Sequence, residues 1–246
     1  MRIIDAHIHI PREDPSGVGN LVRAAERNRI GALCFSSLGT WEYEPSLEAC
    51  IRANGEVEEA MKRYPGKVTG LCYVNPASGE AGHEEFKKCI RGLKMRGLKL
   101  WVARKCTDPS VGPFIEAAIE YGVPVLQHAW LKSTGNLPNE STPQDVAEMA
   151  SKYPDATIIM AHIGGNWEVG AQAVKGCRNV LVDTCGTICD AGMIEYAVKM
   201  LGAERVVYGS DNCDFAGQVA KVLSAEISEE GKELILSGNV ERVMKL

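Results

Sequence analysis

Asp5-Ala6-His7-Ile8-His9 sets two imidazoles two residues apart within the first ten positions. Alternate side chains of an extended strand share a face. Asp5, His7 and His9 are therefore expected on one side, with Ile4, Ala6, Ile8 and Ile10 on the other. Two imidazoles converging on one small volume are half of a metal site, since borderline-soft divalent cations take histidine nitrogen and carboxylate oxygen. The chain has five histidines, and three of them lie elsewhere: His83, His128 and His162. His128 closes the strand-like run 123–129, His162 closes the run 156–162, and Asp211 follows the run 205–209. His83 alone sits apart, at the polar start of a helix. Hydrogen-bonded core histidines are the bland alternative, but they have no reason to collect at strand ends, and burying two polar rings together is costly. Four histidines and a carboxylate at one end of a set of strands point to a bound divalent cation, Zn²⁺ first and Mn²⁺, Fe²⁺ or Co²⁺ after it. An open position on such an ion holds a water whose pKa falls toward about 7. Asp211 can take that proton, either as a ligand or from beside the ion, and His162 can act as acid or base or steady an oxyanion.

These residues need a frame that brings distant strand ends together. Eight strand-like runs alternate with helical patterns: 2–10, 32–36, 68–74, 97–102, 123–129, 156–162, 179–184 and 205–209. Helices are expected over 18–29, 45–64, 82–93, 108–122, 142–153, 166–175 and 191–201, and two or three short ones, through 229–237 and 240–245, end the chain. Asp108 and Thr142 suit helix N-caps, each with proline in the first turn, and Gly122 suits a helix end. Ile158-Ile159-Met160 is a continuous apolar run of the sort a parallel strand buried on both faces needs. Strict alternation implies a parallel α/β sheet, and eight strands in 246 residues imply a closed (β/α)8 TIM barrel spanning 1–246 as a single domain. A doubly wound open sheet is the competing architecture, and no glycine-rich dinucleotide fingerprint follows any strand. In a barrel of this kind the chemistry sits at the carboxyl ends of the strands, where these residues fall.

Composition sets outer limits. The chain is 45% hydrophobic and 24% charged with net charge −5, which argues against a nucleic-acid or anionic-membrane partner. No apolar run approaches the ~18 residues of a membrane span. The first strand begins too early to leave room for a signal peptide, and nine scattered cysteines without a CxxC pair suggest reduced thiols in a cytoplasmic setting. Cys185 and Cys213 fall at the ends of the seventh and eighth strands, where buried inert thiols are the expectation.

The same motifs resemble the amidohydrolase superfamily, in particular its amidohydrolase-related branch of hydrolases and non-oxidative decarboxylases. The resemblance rests on Asp5-Ala6-His7-Ile8-His9, His128, Ala161-His162-Ile163-Gly164-Gly165, Tyr208-Gly209-Ser210-Asp211 and the tail Ser237-Gly238-Asn239-Val240-Glu241-Arg242. It implies His7, His9, His128 and Asp211 as ligands of one divalent metal, with Asp211 and His162 as the catalytic pair. Asp5 would be structural. Lys99 stands where two-metal relatives carry a carbamylated lysine, but one metal is the commoner arrangement in this branch. Lys99 is accordingly expected to face substrate or an ion-pair partner, not to bridge a second metal.

Substrate-facing residues are expected at Lys99, Trp101, Arg104 and Trp130, all on or just after strands 4 and 5. Arg12, Lys105 and Lys132 are further cations near the mouth, and Trp41 and Trp167 further aromatics. A small carboxylate-bearing substrate would suit them. The expectation is thus a metal-dependent hydrolase of amide, ester or lactone bonds. A decarboxylase of the same superfamily is the alternative, and a non-catalytic metal-binding barrel a further one. A TatD-like nuclease fits less well: an acidic residue would be expected where Lys99 stands, and the overall charge is negative. A homodimer is compatible with the sequence, which does not specify an interface.

Overall fold

The computed structural model describes residues 1–12, 14 and 17–246. Its strands are β1 (Ile3–His9), β2 (Ile30–Ser36), β3 (Val68–Gly70), β4 (Cys72–Tyr73), β5 (Leu98–Leu100), β6 (Val125–Gln127), β7 (Ile158–Met160), β8 (Val180–Asp183) and β9 (Val206–Val207). All their pairings are parallel, in the orders β1-β2-β3 and β4-β5-β6-β7-β8-β9. The division between the two groups falls inside one stretch of chain. Leu71 N–H donates to Phe35 O and the next amide, Cys72 N–H, donates to Gly97 O, each at 2.8 Å. β3 and β4 thus act as one staggered strand that bonds one neighbour and then the other, as a sheared barrel requires. At the remaining seam Ala6 N–H donates to Tyr208 O at 2.9 Å and Asp211 N–H to His7 O at 2.8 Å. These bonds bring the chain after β9 against β1, and the expected (β/α)8 barrel is the result.

Helices α1 (Val18–Arg27), α2 (Leu47–Arg63), α3 (Gly79–Lys87), α4 (Gly112–Tyr121), α5 (Pro143–Lys152), α6 (Trp167–Ala173), α7 (Met193–Leu201) and α8 (Phe215–Leu223) alternate with the strands, and α9 (Glu229–Glu233) and α10 (Asn239–Met244) follow. Thr142 caps α5 in a reciprocal box with Asp145, and Gly122 ends α4 in the left-handed region at φ 64°. The sequence left α8 unplaced. It forms because Phe215, Gln218, Val219 and Val222 recur on one buried face, behind an N-cap bond from Gly217 N–H to Asp214. Among the described residues no helix is long and apolar enough to cross a membrane.

The core has two shells. Ile4, Ala6, Ala32, Cys34, Leu71, Leu126, Ile159, Leu181 and Val207 fill the barrel, with Val240 and Met244 of α10 against them. β5 adds no apolar residue there; its middle side chain is Lys99, 1% exposed. Ile3, Ile8 and Ile10 belong to the outer shell beneath the helices. The simple alternation expected for β1 therefore fails. Ile4 and Ala6 pack inward while Ile8 and Ile10 pack outward, because the pairing with β2 is irregular between Asp5 and Ile8. The second strand ends at Ser36 as expected, but the later ones are shortened at their carboxyl ends, where the chain leaves the ladder to present His128, His162 and Asp211.

Candidate metal centre

His7 and His9 leave the irregular end of β1 with their Nε2 atoms 3.1 Å apart. Asp211 Oδ1 lies 3.6 Å from His7 Nε2 and 3.3 Å from His9 Nε2. Two donors bound about 2.0–2.2 Å from one tetrahedral ion sit about 3.3–3.6 Å apart, so the three atoms fit a single divalent cation. Their outer partners favour the same use. His7 Nδ1 lies 2.8 Å from Asp183 Oδ2 and His9 Nδ1 lies 2.8 Å from Ser36 Oγ. In a neutral His7 the Nδ1 hydrogen goes to that carboxylate, leaving the Nε2 lone pair for a cation. Burial drives His9 down to about 4, so its ring is neutral and able to ligate near neutrality. Burial alone would raise Asp211, but His7 and His9 beside it hold it well below the ordinary carboxylate range.

The backbone that delivers these groups is unusual. His162 and Ile163 have φ of 61° and 46°, and Asp211 and Asn212 have φ of 52° and 60°. Non-glycine residues adopt this left-handed region at a cost, and only when their surroundings fix them there. The fixing contacts are present. His162 N–H donates to Asp183 Oδ1 at 2.7 Å, and Asn212 exchanges two hydrogen bonds with the backbone of His9, at 2.7 and 3.0 Å. Behind them Asp5 Oδ1 accepts from His7 N–H and Ser210 N–H, a structural role.

His128 has different neighbours. Its Nε2 lies 3.0 Å from Glu140 Oε1 and its Nδ1 lies 3.2 Å from His162 Nε2, so it does not join the three-atom group of His7, His9 and Asp211. Glu140 is 2% exposed and also accepts from Lys132 Nζ, at 2.8 and 2.7 Å. Burial raises its pKa, but the bonds from His128, Lys132 and Leu137 N–H outweigh that and bring it to about 2. His162 Nδ1 faces Cys185 Sγ at 3.1 Å and Asp211 Oδ2 at 3.9 Å. Lys99 Nζ is 2.9 Å from His7 Nε2, and burial depresses its pKa.

Above these groups opens a cavity of about 560 Å³, lined by Arg12, Trp41, Tyr43, Trp101, Trp130 and Lys132 along with His128 and Glu140. Trp101 meets Trp41 and Tyr43 edge-on, with ring centroids 5.7 and 5.6 Å apart, and Trp130 lies 4.7 Å from the His162 ring. Trp101 and Trp130 thus line this cavity, and Lys99 lies beneath it against His7. Arg104 is instead paired with Glu44 at 3.3 Å, and Lys105 with Asp145. Trp167 is turned to a neighbouring cavity, its Nε1 donating to Asp190. Sequence reasoning missed Asp183, Ser36, Glu140, Asn212 and Tyr43. Only Asp183 and Ser36 carried a usable signal, since each is a polar residue that ends a strand, Ser36 in register with His9.

The sequence signature of the amidohydrolase family matches residues 4–246. No curated protein sequence matches. Among solved structures, a Staphylococcus aureus protein assigned to the amidohydrolases is 16% identical with TM-score 0.82, over 100% of both chains. The 2,6-dihydroxybenzoate decarboxylase from Rhizobium is 15% identical with TM-score 0.79, covering 99% of this chain and 98% of its own. A 5-carboxyvanillate decarboxylase from Novosphingobium aromaticivorans, complexed with manganese, is 19% identical with TM-score 0.76, over 92% of this chain and 80% of its own.

Proposed function

The chain belongs to the amidohydrolase family and is a metal-dependent enzyme of it, and from that premise we propose that it hydrolyses an amide, ester or lactone bond of a small carboxylate-bearing molecule. The observation that carries this reading is the convergence of His7 Nε2, His9 Nε2 and Asp211 Oδ1 beneath an aromatic cavity with Arg12 and Lys132 in its lining. These three atoms would hold the cation, for which zinc is the proposed occupant and manganese the alternative. The bound ion would polarise the substrate oxygen or water placed against it. The remaining work belongs to side chains. Asp211, a quarter exposed, would serve as a proton acceptor through Oδ2, the oxygen that faces His162. His162 Nδ1, 3.9 Å away, can take that proton on or return it to a leaving group. His128 enters through its bond to His162, not as a fourth donor. Arg12 carries the fixed positive charge that would orient a substrate carboxylate, while Trp101 and Trp130 would sandwich its body and exclude water.

A second reading, non-oxidative decarboxylation, is favoured by the shape of the cavity. The flat walls of Trp41, Trp101 and Trp130 suit a planar acid, the type of substrate named for the decarboxylases that share the fold. The same His162–Asp211 pair would then deliver a proton to the carbon that loses CO₂.

The deciding experiment is metal analysis of the purified protein and its Asp211→Asn variant, followed by ester, lactone and aromatic-acid panels. One divalent ion per chain, lost in the variant, with turnover of an ester or lactone, is the expected result. Release of CO₂ with no ester or lactone turnover would replace hydrolysis by decarboxylation. Absence of metal after incubation with zinc or manganese would overturn both readings.

A further inference from the structure

His162, Cys185 and Asp211 form a further group of donors whose ligand atoms lie within 4.8 Å of one another; His162 faces Asp211 Oδ2 where His7 and His9 face Oδ1, and Cys185 Sγ also lies 3.2 Å from His7 Nδ1. The hydrogen-bond chain behind His162 determines what its ring presents there. Glu140, clamped by Lys132, requires a hydrogen on His128 Nε2, 3.0 Å away. A neutral His128 then has a bare Nδ1, which requires a hydrogen on His162 Nε2, 3.2 Å away. A neutral His162 is left with a bare Nδ1, and this lone pair points at Cys185 Sγ, 3.1 Å off, and Asp211 Oδ2, 3.9 Å off.

Cys185 cannot satisfy all the acceptors around it. Its single thiol hydrogen points to Asp183 Oδ1 at 2.8 Å, so the sulfur meets His162 Nδ1 lone pair to lone pair. Three electron-rich atoms, nitrogen, sulfur and oxygen, therefore face one another in a buried corner: Cys185 is 4% exposed and His162 6%. Gly186 keeps the corner open. A Cβ there would lie 3.3 Å from His162 Nδ1. For a cation about 2.3 Å from sulfur and 2.0–2.2 Å from nitrogen and oxygen, donor separations of about 3.3–3.6 Å are needed, between the two observed distances.

We propose that His162 Nδ1, Cys185 Sγ and Asp211 Oδ2 form a second, thiolate-containing cation position, selective for thiophilic ions, whose filling withdraws His162 and Asp211 from proton transfer. It rests on the first cation site at His7, His9 and Asp211 Oδ1, with the Asp211 carboxylate shared between the two. Binding forms the metal–sulfur bond as the Cys185 thiol proton leaves to solvent. The second ion is thus inhibitory, and the first sustains activity. Magnesium and calcium, which avoid sulfur, would neither fill the thiolate position nor mimic the effect.

Cobalt(II) titration of the metal-stripped full-length protein tests this without a substrate. The expected result is two ions per chain, the second bringing a near-ultraviolet thiolate-to-cobalt charge-transfer band. Cys185→Ser should lose the band and the second ion and keep the first. His162→Asn, whose side chain tolerates the left-handed backbone, should do the same and guards against a folding defect in the serine variant. One ion per chain without the band would overturn the second position and leave the first intact. A band carried by a single ion would overturn the two-position arrangement, as would a band that survives Cys185→Ser. Binding of no cobalt at all would overturn the first site with the second.

Discussion

Asp183 Oδ2 lies 2.8 Å from His7 Nδ1, both side chains fully buried, while Asp183 Oδ1 accepts from the His162 backbone amide at 2.7 Å. One carboxylate thereby aims a proposed ligand from β1 and holds the strained backbone of a proposed proton carrier after β7. Burial alone would raise Asp183, yet the neighbouring His7 keeps it well below the ordinary carboxylate range. Asp183→Asn preserves the shape but lets the amide nitrogen face His7, favouring the wrong tautomer. Metal affinity measured by competition with a chelator should fall roughly 10–100-fold. An unchanged affinity would show that His7 is not oriented through Asp183.

The histidines make the metal-free protein acid-sensitive. His9 sits at about 4 when folded against an ordinary value of 6.5, and His128 and His162 shift the same way. The unfolded chain binds these protons as pH falls below about 6.5 and the folded chain does not. Their contribution is therefore complete above that value and is lost progressively toward pH 4. Thermal melting of chelator-treated protein should show a midpoint lower at pH 5 than at pH 7. A midpoint that rises over this interval would contradict the buried neutral state of these rings.

Asp5 works in the opposite direction. Burial raises it to about 7 from 3.8, so between these values the folded protein holds a proton that the unfolded chain has released. Its contribution is present below about 4 and is lost as pH rises through 7. Asp5→Asn should raise the melting midpoint at pH 8 and leave it nearly unchanged at pH 4. Equal effects at both values would remove the titration argument.

Gly170 of α6 lies directly under the turn that presents His162. A Cβ at this position would stand 1.8 Å from Ile163 O, a backbone atom that cannot rotate away. Gly170→Ala should cost about 3 kcal/mol in denaturant unfolding, at the severe end of overpacking, because helix and turn must separate. A loss below about 1 kcal/mol would mean that the turn yields easily and that the His162 backbone is not held by this contact.

Trp101 meets both Trp41 and Tyr43 and lines the cavity above the proposed metal site. Once a substrate is found, Trp101→Ala should raise KM roughly tenfold, the effect of ~1.4 kcal/mol of lost binding, with a smaller change in kcat. A fall in kcat alone would place the residue in the chemical step instead.

How much of this was legible beforehand follows from the range over which each feature is determined. The alternation of strand and helix is local. Runs such as Ile158-Ile159-Met160 and the Thr142–Asp145 capping box encode it within a few residues, and eight repeats of that pattern imply the barrel. Local order also placed His7, His9, His128, His162 and Asp211 at carboxyl ends, since a strand end is a property of its own segment. The course of β1 was not legible. Its irregularity between Asp5 and Ile8 arises from pairing with β2 and from Ser210 N–H on Asp5, contacts that no alternation within the strand encodes. Ring orientation lay further still beyond the sequence. His7 is aimed by Asp183, 176 residues away, and His128 is turned to Glu140 and His162 in place of the His7–His9 pair. The sequence by itself determined which donors gather at one mouth of the barrel; the tertiary structure decided which nitrogen each ring offers and to whom, because a side-chain hydrogen bond is fixed by whichever distant strand end closes beside it.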